Sequence, residues 1–300
     1  MTSSSAARKA FLSGLAIAII GAVLFSAKAI VAKLIYRYPV DAVTLIAFRM
    51  LFSFPVFLAI AIWQARINKP LTSIERGKIV LLGLTGYYLS SFLDFLGLQY
   101  ISAGLERLIL FLTPSFVLLI SIAVHKKQIH RPEWLALLIS YSGIMMVFMH
   151  DVRTGGTQVL IGAGFVLGSA LSYAIYLIYS GEMVRRVGAL RLVAYAMCVA
   201  SVACIIQFFL LKPLSTLVQP VEVYGLSLIN AIFCTVMPVT LTMVAVDRIG
   251  AGATSQAGMI GPVATLFLGA IVLGEAITPI QLLGTSLVLT GIYLLSRKSL

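Results

Sequence analysis

Lys28, Arg49, Asp94 and Glu106 stand inside long apolar runs, where an ionised side chain is costly unless it faces protein or water. Lys28 lies about 9 Å from the outer end of its run and Asp94 about 6 Å from the outer end of its own, at 1.5 Å per residue. The two are at similar depth and can pair. Glu106 and Arg107 open a further run at the same face. An ammonium beside two carboxylates can hold the charged ends of a zwitterion, and a carboxylate can carry a coupled proton. The competing reading is an ion pair that only fastens helices together.

A second set is aromatic and polar. Tyr87, Tyr88, Ser90, Ser91 and Phe95 share one run. Tyr173, Tyr176 and Tyr179 share another, three residues apart and so expected on roughly one face. Asn230, Thr235 and Gln256 come from later runs. An apolar pocket with a few placed polar groups suits an amphiphilic solute. Tyrosine also populates membrane interfaces, which accounts for Tyr36, Tyr38 and Tyr100 without a site. The third set is mechanical. Pro114 and Pro262 each remove a backbone hydrogen bond and should bend their helices, so both are candidate hinges. Thr113 can satisfy a carbonyl freed by Pro114, and Gly258 and Gly261 loosen the chain before Pro262.

Other chemistries find no support. His125, His130 and His150 lie at run ends or in loops, there is no His-Glu-x-x-His and no glycine-rich phosphate loop. A zinc enzyme, an intramembrane serine protease and an ATP-driven pump are therefore disfavoured. No catalytic residue, metal site or cofactor is expected, and no sodium cage is legible. Cys198, Cys204 and Cys234 all fall inside apolar runs and read as small core residues.

The elements that must position these groups follow from composition. Of 300 residues, 60% are hydrophobic and 11% charged, against about 25% charged in a soluble domain. The apolar residues come in blocks of about 20, enough to cross about 30 Å of hydrocarbon. The chain is thus expected to be an all-α integral membrane protein. Ten spans are predicted at about 11–34, 41–63, 78–98, 103–124, 132–149, 158–180, 190–211, 221–245, 252–273 and 277–296. The net charge of +12 suits loops facing the cytoplasm better than nucleic acid. Lys and Arg favour one side roughly three to one, which sets both termini inside. Arg66, Lys69, Arg76, Lys126, Lys127, Arg185, Arg186 and Arg191 carry much of that excess, with Arg8, Lys9, Arg131, Arg297 and Lys298.

An internal repeat organises all of this. Shifted by 148 positions without a gap, Gly104 falls on Gly252, Pro114 on Pro262, Ile129 on Ile277 and Gly143 on Gly291. The first span matches the sixth, with Gly14 on Gly162 and Ala22 on Ala170. It is therefore expected to stay in the protein, although Arg8-Lys9 and Ala27-Lys28-Ala29 imitate a cleaved leader. The two units are 1–152 and 153–300. Five spans is an odd number, so the second unit enters the membrane inverted. Inverted repeats with a midplane site are a signature of secondary transporters.

The pattern resembles the drug/metabolite transporter superfamily, in its EamA-type ten-helix form. The resemblance rests on Arg248-Ile249-Gly250-Ala251, Pro262, Gly274-Glu275, Thr278, Gln281, Gly284 and Gly291. In the first half it rests on Pro39, Ala42, Phe48-Arg49, Ala103-Gly104, Pro114 and Gly143. It covers essentially the whole chain. The departures are Lys126-Lys127 where the second half has Gly274-Glu275, and Ala136 at the place of Gly284. The resemblance implies ten helices around a central cavity, lined mainly by spans 1, 3, 4, 6, 8 and 9. Arg49 matches a family position outside that lining, which implies a structural role. Within the superfamily the chain is most similar to bacterial amino-acid and metabolite exporters of the YddG aromatic amino-acid type.

The expected function is export of small amphiphilic metabolites, amino acids first, across a bacterial inner membrane, with protons as the candidate coupling ion. The partners are then a small-molecule solute and the lipid bilayer. Two alternatives stand beside it. A sugar-phosphate or nucleotide-sugar exchanger would need several basic residues in its cavity. A non-transporting partner subunit would need neither paired prolines nor buried charges.

Overall fold

The computed structural model describes residues 2–125 and 131–296. Lys126, Lys127, Ile129, His130, Arg297 and Lys298 lie outside the described residues, as do the side chains of Arg8, Lys9 and Arg131. Helices dominate, and no strand occurs among the described residues. Ten apolar helices follow in order. They are α1 (Phe11–Ile35), α2 (Ala42–Ile67), α3 (Ser73–Leu98), α4 (Ala103–Ile122) and α5 (Trp134–Arg153). The second half has α6 (Thr157–Val187), α7 (Ala189–Leu211), α8 (Val221–Gly250), α9 (Gln256–Leu273) and the shorter α10 (Pro279–Leu294). Helices satisfy every backbone donor within the segment, which hydrocarbon demands because it offers no partner.

Several boundaries differ from expectation by four to seven residues, α8 for instance running to Gly250 rather than 245, and two of them have a plain local reason. Helix α3 starts at Ser73 rather than near 78, because Thr72 and Glu75 form a reciprocal capping box. Helix α6 runs to Val187, past 180, and stops at Gly188, whose φ of 84° few other residues adopt. Between α8 and α9 the chain reverses at Gly250, with φ 81° and ψ 161°.

The packing displays the repeat. Helix α1 packs on α8 and α3 packs on α6; α1 touches α9 and α4 touches α6; α2 touches α8 and α3 touches α7. A shift of 148 residues turns the first member of each couple into the second. Three further pairings, α2 with α7, α4 with α9 and α5 with α10, map onto themselves. This is two-fold pseudo-symmetry between inverted five-helix units. In the α5–α10 crossing a Cβ on Gly143 would strike the Gly284 carbonyl, and one on Gly284 would strike that of Gly143. Small residues let backbones approach where no hydrophobic force drives helices together in lipid.

Two irregularities also repeat. Helix α3 contains an i→i+5 turn at Leu84–Leu89 and α8 contains one at Ile232–Val236. The second closes one residue earlier because Pro238, at the place of Ser90, has no N–H to donate. Such turns are rare and concentrate at functional sites. The proline breaks repeat as well. The fourth span resolves into Ala103–Leu110 and Thr113–His125, and in the ninth one helix ends at Gly258 and the next starts at Ile260. Phe111 (ψ −4°) and Met259 (ψ −13°) tighten the backbone at equivalent places. Thr113 Oγ1 donates to Leu110 O at 2.7 Å, the carbonyl that Pro114 leaves without its partner.

Candidate functional site

The charged residues converge. Lys28 Nζ, from α1, donates to Asp94 Oδ2 of α3 and lies 3.3 Å from Glu106 Oε1 of α4. The three side chains are 6%, 5% and 0% exposed. Each is placed by its helix. Asp94 follows the i→i+5 turn of α3. Glu106 sits in the first turn of α4, where the positive end of the helix dipole favours a carboxylate. Ser102 caps that end, accepting from Leu105 N at 3.2 Å, and its hydroxyl lies 3.2 Å from Asp151 Oδ2.

Aromatic rings separate the cations. Lys28 Nζ is 5.3 Å from the Phe25 ring centroid and 5.4 Å from that of Phe95. Arg49 lies 5.0 Å from the same Phe95 ring, and Arg107 lies 5.0 Å from Phe25 and 5.3 Å from Phe111. The result is an alternating line, Arg49–Phe95–Lys28–Phe25–Arg107–Phe111, with two carboxylates beside its middle cation. Cation–π contacts of this kind are strongest when desolvated. Three cations face two anions, so the network carries one positive charge when all are ionised. It is also under-bonded: Asp94 Oδ1, Glu106 Oε2 and Arg107 Nε are buried without a hydrogen-bond partner, and Glu106 Oε1 has only the Lys28 ammonium at 3.3 Å. Free carboxylate lone pairs beside an ammonium can receive a solute ammonium or a proton.

Arg49 extends the network into the second half. Its Nε donates to Thr235 Oγ1 at 2.8 Å, inside the α8 i→i+5 turn, and Nη1 reaches Ser91 Oγ at 3.5 Å. Thr235 Oγ1 donates in turn to Asn230 O at 2.9 Å. Asn230 is fully buried, and both atoms of its side-chain amide lack a partner.

A second cluster joins α3 to α6. The Tyr87 and Tyr176 hydroxyls are 3.1 Å apart with their rings edge to face, and Tyr173 stacks on Tyr176 at 5.4 Å. Ser172 Oγ donates to Thr85 O at 2.8 Å, and the Ser90 and Ser169 hydroxyls lie 3.1 Å apart. Tyr176 rests on the α3 turn at Gly86, where any Cβ would strike its ring.

The other candidates are placed as follows. Tyr88 is half-buried against the large apolar core. Gln256 is exposed and makes none of these contacts. Tyr179 is 54% exposed and does not share a face with Tyr173, because two three-residue steps turn a helix by about 120°. Pro114 and Pro262 flank the equivalent breaks described above. The residue pattern did not reveal the link from Arg49 to Thr235. Its one signal was the cost of an arginine deep in a span.

Comparison with known proteins agrees with this architecture. A family model described as the EamA-like transporter family matches residues 12–149 and again 160–297. The Bacillus subtilis protein named "Uncharacterized transporter YcbK" is 30% identical over 279 residues, covering 89% of this chain and 87% of that one. An Archaeoglobus fulgidus protein named "Uncharacterized transporter" is 25% identical over 221 residues, covering 74% and 78%. A crystal structure titled only as that of a protein superposes with a TM-score of 0.66 at 16% identity, over 96% of this chain and 98% of that one; it supports the fold. With two matched units spanning nearly its full length, the chain belongs to the EamA-like transporter family.

Proposed function

We propose that this transporter exports small amphiphilic metabolites, amino acids with aromatic or apolar side chains first among them, across a bacterial inner membrane by alternating access, with both termini in the cytoplasm. One observation carries the reading: Lys28 bridges two under-bonded carboxylates between α1 and the α3–α4 pair. Helices α1, α8 and α9 form one packed group, and α3, α4 and α6 form the other. The ion pairs therefore cross from one group to the other, toward the outer ends of the helices. They act as a clasp that must open for the outer face to open. A zwitterion offers what is needed to open it: its ammonium engages the carboxylates and its carboxylate engages Lys28 or Arg49. The tyrosines on α3 and α6 supply an apolar and weakly polar wall. A proton serves as the coupling ion, because protonating Glu106 leaves Lys28 paired one-to-one with Asp94. The boundaries 1–152 and 153–300 then separate two copies that exchange their first helices between the packed groups, with Pro114 and Pro262 as hinges, one in each group. The chain moves solutes and makes no covalent change in them.

A second reading draws support from the same site. Arg49 and Arg107 join Lys28 in one network, so basic residues are more numerous there than the spans alone suggested. That suits phosphorylated solutes. Counterflow in proteoliposomes with labelled amino acids and sugar phosphates separates the two. Uptake of apolar or aromatic amino acids alone is the expected outcome. Uptake of phosphorylated compounds alone replaces this reading with the second, and uptake of neither removes the substrate assignment.

A further inference from the structure

Away from the charged network, a groove of about 500 Å³ opens where α2 ends and α3 begins, bounded on its far side by α7. Its mouth carries Arg76 and Arg191, and its floor is apolar, with Val80, Cys198 and Val199. Both arginines are held in place through backbone carbonyls. Arg76 Nε donates to Leu71 O at 3.2 Å, and Arg191 Nη2 donates to Lys69 O at 2.9 Å. Arg191 also lies over the Tyr195 ring at 5.6 Å. It is 6% exposed, yet its Nε is buried without a hydrogen-bond partner. Among the described residues neither arginine has a carboxylate within ion-pair distance. Glu75, whose charge reaches Arg191, is engaged by the Thr72 backbone at 2.9 Å and the Thr72 hydroxyl at 3.0 Å.

The apolar floor runs into the depth of the membrane. From Arg76 to Val80 is about 6 Å along α3, and from Arg191 to Val199 is about 12 Å along α7. A cationic mouth over an apolar trough fits an anionic headgroup with the first part of an acyl chain. At the equivalent place in the other half Tyr224 replaces Arg76, packs edge to face on Phe48 at 5.4 Å and bonds to the Leu217 carbonyl and the Gln219 N–H. One half fills this corner with its own side chain, and the other leaves it open and charged. Basic pockets between helices at a cytoplasmic face recognise acidic lipids.

We propose that this groove binds one anionic phospholipid of the adjacent leaflet, its phosphate between Arg76 and Arg191 and an acyl chain along Val80, Cys198 and Val199. The test is native mass spectrometry and thermal unfolding of the purified full chain in detergent, with dioleoyl-phosphatidylglycerol, dioleoyl-phosphatidylcholine or inorganic phosphate added. Each arginine contributes about fivefold in affinity, so phosphatidylglycerol should be retained about 25-fold better than phosphatidylcholine. Arg76→Gln, an exposed position, should cut that preference to about fivefold. Val199→Trp should reduce retention of either lipid by filling the trough. Equal retention of the two lipids, stabilisation by inorganic phosphate matching that by phosphatidylglycerol, or indifference to both substitutions would each overturn the proposal. Both variants are first required to match the lipid-free melting temperature of the native chain.

Discussion

The two halves of this transporter share a backbone and differ in chemistry. Shifted by 148 residues, Lys28 falls on Tyr176, Phe25 on Tyr173, Asp94 on Thr242 and Glu106 on Thr254. Each half has an i→i+5 turn in its third helix and a break before the proline of its fourth. Tyr176, from the first helix of the second half, packs against the α3 turn at Gly86, and Lys28 holds the matching position on α1. Around Lys28 the residues form buried ion pairs. Around Tyr176 they form a tyrosine stack and hydroxyl contacts that include Tyr87 of the first half. Under the proposed alternating access, symmetric geometry would let either end open, and unequal chemistry would make the two ends respond to different signals. Breaking a desolvated ion pair needs a competing charge or a proton. Parting tyrosines needs only an apolar or hydrogen-bonding intruder.

The largest effect that would break this comparison comes from Lys28→Met. It removes the ammonium that pairs with both Asp94 and Glu106, leaving only the more distant Arg49 and Arg107 as counter-charges, and should cost about 3–5 kcal/mol of stability, together with all transport. The triple variant Lys28→Met/Asp94→Asn/Glu106→Gln should regain the melting temperature and stay inactive. Native flux from the triple variant would reduce the cluster to glue. Next comes Glu106→Gln, which keeps the Lys28–Asp94 pair. If one proton moves per cycle, the native steady-state solute ratio shifts about tenfold for each imposed pH unit. The variant ratio should not shift in the same vesicle assay.

A smaller effect is expected on the neutral side. Tyr176→Phe removes the hydroxyl contact to Tyr87, which is worth about 1 kcal/mol, and should change flux no more than about fivefold. A loss as complete as that of Lys28→Met would show that the halves are not unequal after all.

The smallest effect concerns the loop that joins α1 to α2. Asp41 caps α2 through Thr44 and pairs with Lys212 at 2.5 Å. Burial alone would raise its carboxyl, but the Lys212 and Thr44 hydrogen bonds outweigh that and hold it below the usual carboxylate range. A depressed value stabilises the fold above the unfolded pKa of about 3.9 and loses that contribution as pH falls through the folded value. Because the pair is over a third exposed on the Asp41 side, screening limits it to about 0–1 kcal/mol. Lys212→Met should therefore melt slightly lower than the native chain at pH 7. The gap should close only well below pH 4, in thermal unfolding followed by circular dichroism.

Much of the first half's chemistry could be read from the residues. Helix rise alone put Lys28 and Asp94 at one depth, and apolar run lengths located the spans that hold them. The gap-free offset revealed the duplication and hence the paired prolines. The i→i+5 turns could not be read, because widening a helix turn needs no particular residue type and leaves the apolar pattern intact. Arg49 is a related case. The family resemblance put it outside the cavity lining, and only the tertiary meeting of α2 with the α8 turn brings it to Thr235. Gln256 shows the reverse error of grouping by span: membership of a lining helix does not fix the face, and this side chain lies apart from the network.

The paired i→i+5 turns also carry a history. The turns at Leu84–Leu89 and Ile232–Val236 fall on each other under a shift that needs no gap, whereas the wide turn at Gly269–Leu273 falls on plain α-helix within Thr113–His125. A feature held by both copies is what duplication of one unit hands down, and one held by a single copy marks where the copies parted. Lys28 and Tyr176 belong with the partings: one position, two chemistries, on a shared frame.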